Sequence, residues 1–195
     1  MFHQPSSTAR GVIIGHLGVA FAARRGWPRA PLAWLLVATF APDIWRILLA
    51  QTRYGWWPSN TYSHALPWSA MLATVLASLA WLILRDGPAA IVVALLVATH
   101  VALDMISGWK PLWLGGPVGL DLQHVEQAEF LVEAVLAWLG WRLLTRANAP
   151  RWLTTKTALL VMLAAQLLYL SSSYNDRPAD KRCLAYPFAA CWRRL

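Results

Sequence analysis

Long apolar segments separated by short polar stretches recur along this chain, and they restrict its fold more than any other feature. Six such segments occur, at residues 11–23, 31–50, 64–84, 88–107, 127–144 and 153–170. About 20 apolar residues are enough for a helix to cross a bilayer, and a helix satisfies its own backbone hydrogen bonds there. With 58% hydrophobic and only 13% charged residues, the composition is also far from that of a soluble domain.

We therefore expect an all-α fold: a polytopic membrane protein, built as a bundle of five to six transmembrane helices with short loops. The 195 residues form a single membrane-embedded domain in this interpretation, with residues 171–195 as a polar C-terminal tail. The first segment is expected to be a retained short helix, because Arg24 and Arg25 follow it and this charge order is wrong for an export signal. In the tail, Cys183 and Cys191 either form a disulfide or stay as two free thiols.

The formal net charge of +8 is distributed unevenly between the two ends of these segments. One side carries eight basic residues: Arg24, Arg25, Arg29, Arg85, Arg142, Arg146, Arg151 and Lys156. The other side carries four, apart from five in the tail. Because Lys and Arg are enriched in cytoplasmic loops, we expect a bacterial inner (cytoplasmic) membrane protein with both termini extracytoplasmic. Lipid topology explains the basic residues, so no nucleic-acid partner is expected.

Ionisable side chains gather at the predicted outer ends of the segments. His100 and Asp104 lie one helical turn apart near the end of the fourth segment, so they share a helix face. The same depth is predicted for a further group of possible ligands: His16, Asp43, His64, His124 and Glu129. Such groups in a membrane normally face a cavity, pair with one another or bind an ion. This layer is therefore a candidate site.

Plainer interpretations exist for the same residues. Asp104 could pair with Lys110 or an arginine, and Asp43 with Arg46 one turn away. A single buried histidine often serves only as a hydrogen-bonding group between helices. Paired histidines across helices could also hold a b-type haem, although the nearby aspartates are unexpected in a haem site.

The order and spacing of these residues resemble the YdjM-like family of membrane-bound metal-dependent hydrolases, which is distantly similar to the zinc-dependent phospholipase C and P1 nuclease group. The matching elements are Gly15-His16, Ala41-Pro42-Asp43-Ile44, Ser63-His64-Ala65, His100 and Asp104 with Gly108 and Pro111-Leu112-Trp113, and Glu129 at a helix start. They cover roughly the first two thirds of the chain. The resemblance implies a metal site with His16, His64, His100 and Asp104 as ligands, and with Asp43 as a ligand or as the catalytic general base.

The chain also departs from the family pattern at two positions. Trp45 stands where the family has a second aspartate, and Ser59 or Asn60 stands near the place of a histidine. His124 is an additional candidate ligand that the pattern does not clearly supply. A non-catalytic integral membrane subunit of a larger assembly, retaining a partial or vestigial metal site and binding membrane protein partners, is therefore the alternative function.

Imidazole and carboxylate ligands suit a divalent metal, best zinc, with manganese or iron possible. An ion of this kind can activate water for attack on an ester or phosphodiester. Together with the membrane location, the resemblance to the YdjM-like family implies a membrane-embedded metal-dependent hydrolase, phosphodiesterase-like or phospholipase-like. The expected substrate is a lipid or a lipid-linked phosphoester reached from the outer leaflet.

Overall fold

The computed structural model describes residues 14–51, 62–108, 110–111, 117–120, 122, 126–147 and 151–175. Six helices account for most of these residues: α1 (Ile14–Gly26), α2 (Leu32–Ala50), α3 (Leu66–Leu84), α4 (Gly87–Ser107), α5 (Glu126–Leu144) and α6 (Lys156–Asn175). A short 3-10 turn, Arg151–Leu153, precedes α6. Each helix lies at one of the six apolar segments, so the predicted helical fold class is confirmed.

The boundaries differ from the predicted ones most clearly at the C-terminal end. Helix α6 continues to Asn175, so the first residues of the predicted polar tail are helical. The last five residues of α6, 171–175, are polar or aromatic. Such residues can continue a helix that has already formed, so the helix extends beyond the apolar segment. The two cysteines lie outside the described residues, and their pairing stays a prediction.

Three of the helices are long and apolar enough to cross a membrane: α2, α3 and α4. Helix α1 has 13 described residues, and α6 contains a shorter apolar stretch at Lys156–Leu168. Helix α5 carries Glu126, Glu129, Glu133 and Arg142 within 19 residues. Length and composition thus identify three candidate spans among the described residues.

Helices α3 and α4 form an antiparallel hairpin joined by two residues. Arg85 takes a left-handed conformation (φ 52°) and ends α3. Asp86 then begins α4, and its carboxylate accepts a hydrogen bond of 3.2 Å from the Ala89 backbone N–H, which is a normal helix N-cap. The second carboxylate oxygen lies 3.3 Å from Trp27 Nε1 in the α1–α2 loop. One residue therefore ties two loops together at the same end of the bundle.

An apolar core lies at that end, where α1 and α3 finish and α2 and α4 begin. Its buried members are mainly small: Ala20, Ala30, Leu35, Ala38, Ala80, Ala89, Val93 and Leu96. Small side chains allow helix backbones to approach closely, which is how helices associate in lipid. The four helices are therefore close to one another at this end. The ionisable residues lie at the opposite end of the same helices.

The closest helix crossing is between α1 and α5. Gly18 lies against the backbone of Leu136 and Ala137, and Gly140 lies against the backbone of Gly18. A side chain at either glycine would overlap these backbone atoms. Glycine at both positions is therefore a requirement of the packing.

After α4 the chain folds back on itself. Two short antiparallel strands, β1 (Lys110–Pro111) and β2 (Pro117–Val118), pair Lys110 with Val118. Gly119 lies against the carbonyl oxygens of Gly108 and Met105, where a Cβ atom has no room. This turn holds Lys110 over the end of α4.

Candidate metal centre

Three elements bring four possible metal ligands together at one end of the bundle. Asp43 lies on α2, His64 lies two residues before α3, and His100 and Asp104 lie on α4. Each offers one ligand atom, and these four atoms all lie within 4.8 Å of one another. Successive antiparallel helices explain the convergence, because α2 and α4 run toward this end and α3 starts from it.

Several distances between the ligand atoms are close to those around a tetrahedral ion. Zinc bound at about 2.0–2.1 Å places its ligand atoms roughly 3.3–3.5 Å apart. His100 Nε2 lies 3.4 Å from His64 Nε2 and 3.6 Å from Asp104 Oδ2. The nearest Asp43 oxygens lie 3.7 Å from His64 Nε2 and 3.8 Å from His100 Nε2. Only the contact between His64 Nε2 and Asp104 Oδ2, at 2.9 Å, is clearly shorter than a tetrahedral edge.

The four residues are buried to different degrees. His64 and His100 are fully buried, and Asp104 is 3% exposed. The Asp43 side chain is the most open of the four, at 16% exposure. Buried carboxylates and imidazoles are costly without a partner, so they need either each other or a bound cation.

Two basic side chains pair with the carboxylates. Lys110 Nζ lies 2.7 Å from Asp104 Oδ2, and Arg46 Nη2 lies 3.0 Å from Asp43 Oδ1. Both cations are buried, at 6% and 5% exposure. The ion pairs considered from the sequence are therefore present alongside the cluster of possible ligands. With neutral histidines, two carboxylates and two cations leave this group without net charge.

His16 lies beside the four-residue group and not within it. Its Nε2 atom lies 3.3 Å from the backbone oxygen of His100 and 3.6 Å from Asp104 Oδ1. Its ring centre lies 4.2 Å from that of His100. The Nδ1 atom of His16 is buried and has no hydrogen-bond partner among the described residues. His16 is thus placed to support His100 and Asp104 from the α1 side.

A serine hydrogen-bonds the far side of the His64 ring. Ser63 Oγ lies 2.6 Å from His64 Nδ1, and both residues are fully buried. Metal-binding histidines usually have their second ring nitrogen hydrogen-bonded in this way, which fixes the ring orientation and tautomer. The contact leaves Nε2 of His64 facing the other ligand atoms.

Glu133 on α5 reaches the α1 side of the cluster. Glu133 is buried and accepts a hydrogen bond of 2.7 Å from the backbone N–H of Gly15, next to His16. A Cβ atom at position 15 would meet the Glu133 carboxylate, which would have to move. Glu129 is also buried, at 4% exposure, but is not part of the four-residue group. His124 lies outside the described residues.

Two of these contacts were not predicted from the sequence. Ser63 and His64 are adjacent in the sequence. Adjacency alone does not predict a hydrogen bond between the serine hydroxyl and the histidine ring. The link from Glu133 to Gly15 spans 118 residues. This contact depends on the close crossing of α1 and α5 at Gly18 and Gly140. Glycines in an apolar segment do not indicate from the sequence which helix they contact.

Comparisons of the chain with protein-family models, with curated proteins and with solved structures found no significant match.

Proposed function

We propose that this protein is a membrane-embedded metal-dependent hydrolase, with its site formed by Asp43, His64, His100 and Asp104. The observation that carries the proposal is the convergence of two imidazoles and two carboxylates from three elements. The apolar core at the other end is sufficient to explain why the helices pack together. An expensive group of buried ionisable residues therefore calls for a role in chemistry or binding.

The donor set fits zinc best. Two imidazole nitrogens and two carboxylate oxygens are ligands that zinc accepts, whereas magnesium and calcium prefer all-oxygen sites. Manganese and iron remain compatible with the same ligands. A divalent ion held by His64, His100 and Asp104 would keep one position open for water. It would supply Lewis acidity, which makes that water more acidic and polarises a phosphoryl or carbonyl oxygen, and Asp43 would then be free to act as the base.

The residues around the ligands have separate tasks in this proposal. Asp43 has the most exposed side chain of the four, so its carboxylate can reach an entering water and accept its proton. Ser63 keeps the His64 ring in place through Nδ1. Lys110 pairs with Asp104 in the absence of a cation, and its ammonium group can turn from that carboxylate toward a negative substrate.

Charge balance favours an anionic substrate. The two carboxylates are already balanced by Arg46 and Lys110, so a divalent cation adds two positive charges to a buried site. A phosphoester compensates such an excess and a neutral carboxylic ester does not. We therefore propose a lipid or lipid-linked phosphoester as the substrate class.

The same proposal places the protein in the bacterial inner membrane as a bundle of five to six spans. Helix α3 supports this, because only a small part of its apolar surface is buried within the protein. Leu66, Met71, Val75, Leu79 and Ile83 are between 41% and 60% exposed along it. The excess of basic residues in the loops at the other end favours an extracytoplasmic position for the site and both termini. Membership of the YdjM-like family remains part of this proposal.

Hydrolysis by the purified full-length protein tests the function. We expect zinc-dependent release of nitrophenol from bis(p-nitrophenyl) phosphate, or cleavage of a fluorescent phospholipid. His100→Ala should abolish it, whereas Ser107→Ala, on the same helix with its hydroxyl bonded to Leu103 O, should not. Equal activity in wild-type and His100→Ala protein would contradict the proposed site.

A second function is favoured by the two ion pairs. Because Lys110 and Arg46 already neutralise both carboxylates, the cluster could act only as a polar link between helices in a non-catalytic subunit. In that case, joint replacement of Asp104 and Lys110 by leucine should preserve folding, since a buried ion pair can be exchanged for apolar residues. Unchanged folding and unchanged partner binding in this variant, together with no hydrolysis by the wild-type protein, would support the subunit.

A further inference from the structure

A second possible binding site lies at the opposite end of the bundle, where α5 ends and α6 begins. A cavity of about 360 Å³ is lined there by Trp138, Trp141, Arg142, Lys156, Leu159 and Leu160. The lining thus combines two tryptophans, two cations and two leucines, and it contains no carboxylate.

The two basic side chains that line this cavity are exposed at the protein surface. Within the described ranges, neither Arg142 nor Lys156 forms an ion pair. Two cations that line one cavity, with no carboxylate among its lining residues, favour an anion with several acceptor oxygens.

Apolar surface continues from the cavity along both helices. On α5, Trp138, Val135 and Leu131 share one face and are 45–63% exposed. On α6, Leu160 and Leu167 share a face and are 64% and 55% exposed. At 1.5 Å per residue, both faces extend roughly 10 Å away from the charged end. This surface suits acyl chains that run from the headgroup toward the bilayer centre.

We propose that this cavity binds the phosphate of an anionic phospholipid, with Arg142 and Lys156 on the phosphate and the acyl chains along α5 and α6. Tryptophan beside basic residues is the usual side-chain chemistry at the lipid headgroup level. The site is separate from the metal centre, and it requires no catalysis there.

Native mass spectrometry of the full-length protein in detergent tests the proposal with dioleoylphosphatidylglycerol as the probe. Removing each cation should weaken lipid binding about fivefold, so Arg142→Gln with Lys156→Gln should weaken it roughly 25-fold. The matched control is Arg25→Gln with Arg29→Gln, which removes two exposed cations from the last turn of α1 and the loop that follows it. Binding by the control should stay within about twofold of wild type.

Three results would overturn the proposal. Equal weakening in both double variants would show that only net charge attracts the lipid. Equal binding of dioleoylphosphatidylcholine would show that the headgroup charge is not recognised. Displacement of the lipid by inorganic phosphate would show a free-phosphate site in place of a lipid site. Unchanged thermal unfolding of the lipid-free Arg142→Gln, Lys156→Gln protein, expected for two side chains at the surface, assigns the lost binding to the cavity.

Discussion

The two ends of the unit formed by α1 to α4 are built from different residues. One end is an apolar core of alanine, valine and leucine, closed by a two-residue turn. The other end buries two imidazoles, two carboxylates and two cations within a few ångströms. The apolar end accounts for the association of the helices through close packing. The polar end adds desolvation costs that packing does not require, so its residues are best explained by what they bind.

The largest effect on folding is expected at the crossing of α1 and α5. Gly140→Val should destabilise the protein by about 3 kcal/mol or more, because its side chain would overlap the Gly18 backbone. Unfolding in mixed detergent micelles measures this change. Gly26→Ala is the control, since no atom lies within 4 Å of a Cβ there. Similar destabilisation by both variants would contradict the close crossing.

At the apolar end, Leu35→Ala should cost about 2 kcal/mol of unfolding free energy. Leu35 is fully buried in the core, and its removal leaves a cavity. The value lies at the low end of the usual range because unfolded helices in lipid keep an apolar environment. The folded fraction should bind metal as wild type does, measured after size-exclusion chromatography. Loss of metal from folded Leu35→Ala protein would contradict the view that the apolar end serves only packing and the polar end only binding.

At the polar end, Ser63→Ala should weaken metal binding roughly 10- to 100-fold, because the His64 ring loses the hydrogen bond that orients it. Its effect on unfolding should be small in comparison with that on affinity. Competition with a coloured chelator measures the affinity, and Ser63→Thr, which keeps the hydroxyl, should restore most of it. An affinity unchanged in Ser63→Ala would remove Ser63 from the site.

Lys110→Met should have the smallest effect of the four variants, and it should raise the metal affinity where Ser63→Ala lowers it. Lys110 competes with any cation for Asp104 Oδ2, so its removal should tighten divalent metal binding about tenfold. Lys110→Arg, which keeps the charge, should bind metal as wild type does. Weaker metal binding in Lys110→Met would mean that Lys110 helps to build the site and does not compete for it.

Much of the fold follows from the sequence, because apolar segments of helix length are visible without any knowledge of packing. The positions of Asp43, His64 and the His100–Asp104 pair at segment ends also suggest a common depth. What the sequence does not contain is the lateral arrangement of the helices. The contact of Glu133 with Gly15 depends on the crossing at Gly18 and Gly140, which no polar pattern indicates.

The fold-back after α4 shows the same limit on a smaller scale. The sequence allows Lys110 to pair with Asp104 or to contact a phosphate. The structure places its ammonium group on Asp104, because β1 and β2 return the chain over the helix end and Gly119 permits the close approach. A six-residue separation between Asp104 and Lys110 alone does not determine such a contact.

The most direct test of the account is the metal content of the full-length protein purified without chelator. Inductively coupled plasma mass spectrometry should find about one divalent ion per chain, zinc in the first place. His64→Ala, His100→Ala and Asp104→Ala should each lose it, while Ser107→Ala should retain it. A wild-type protein that is folded, yet binds no divalent ion even when zinc is supplied, would contradict the metal centre.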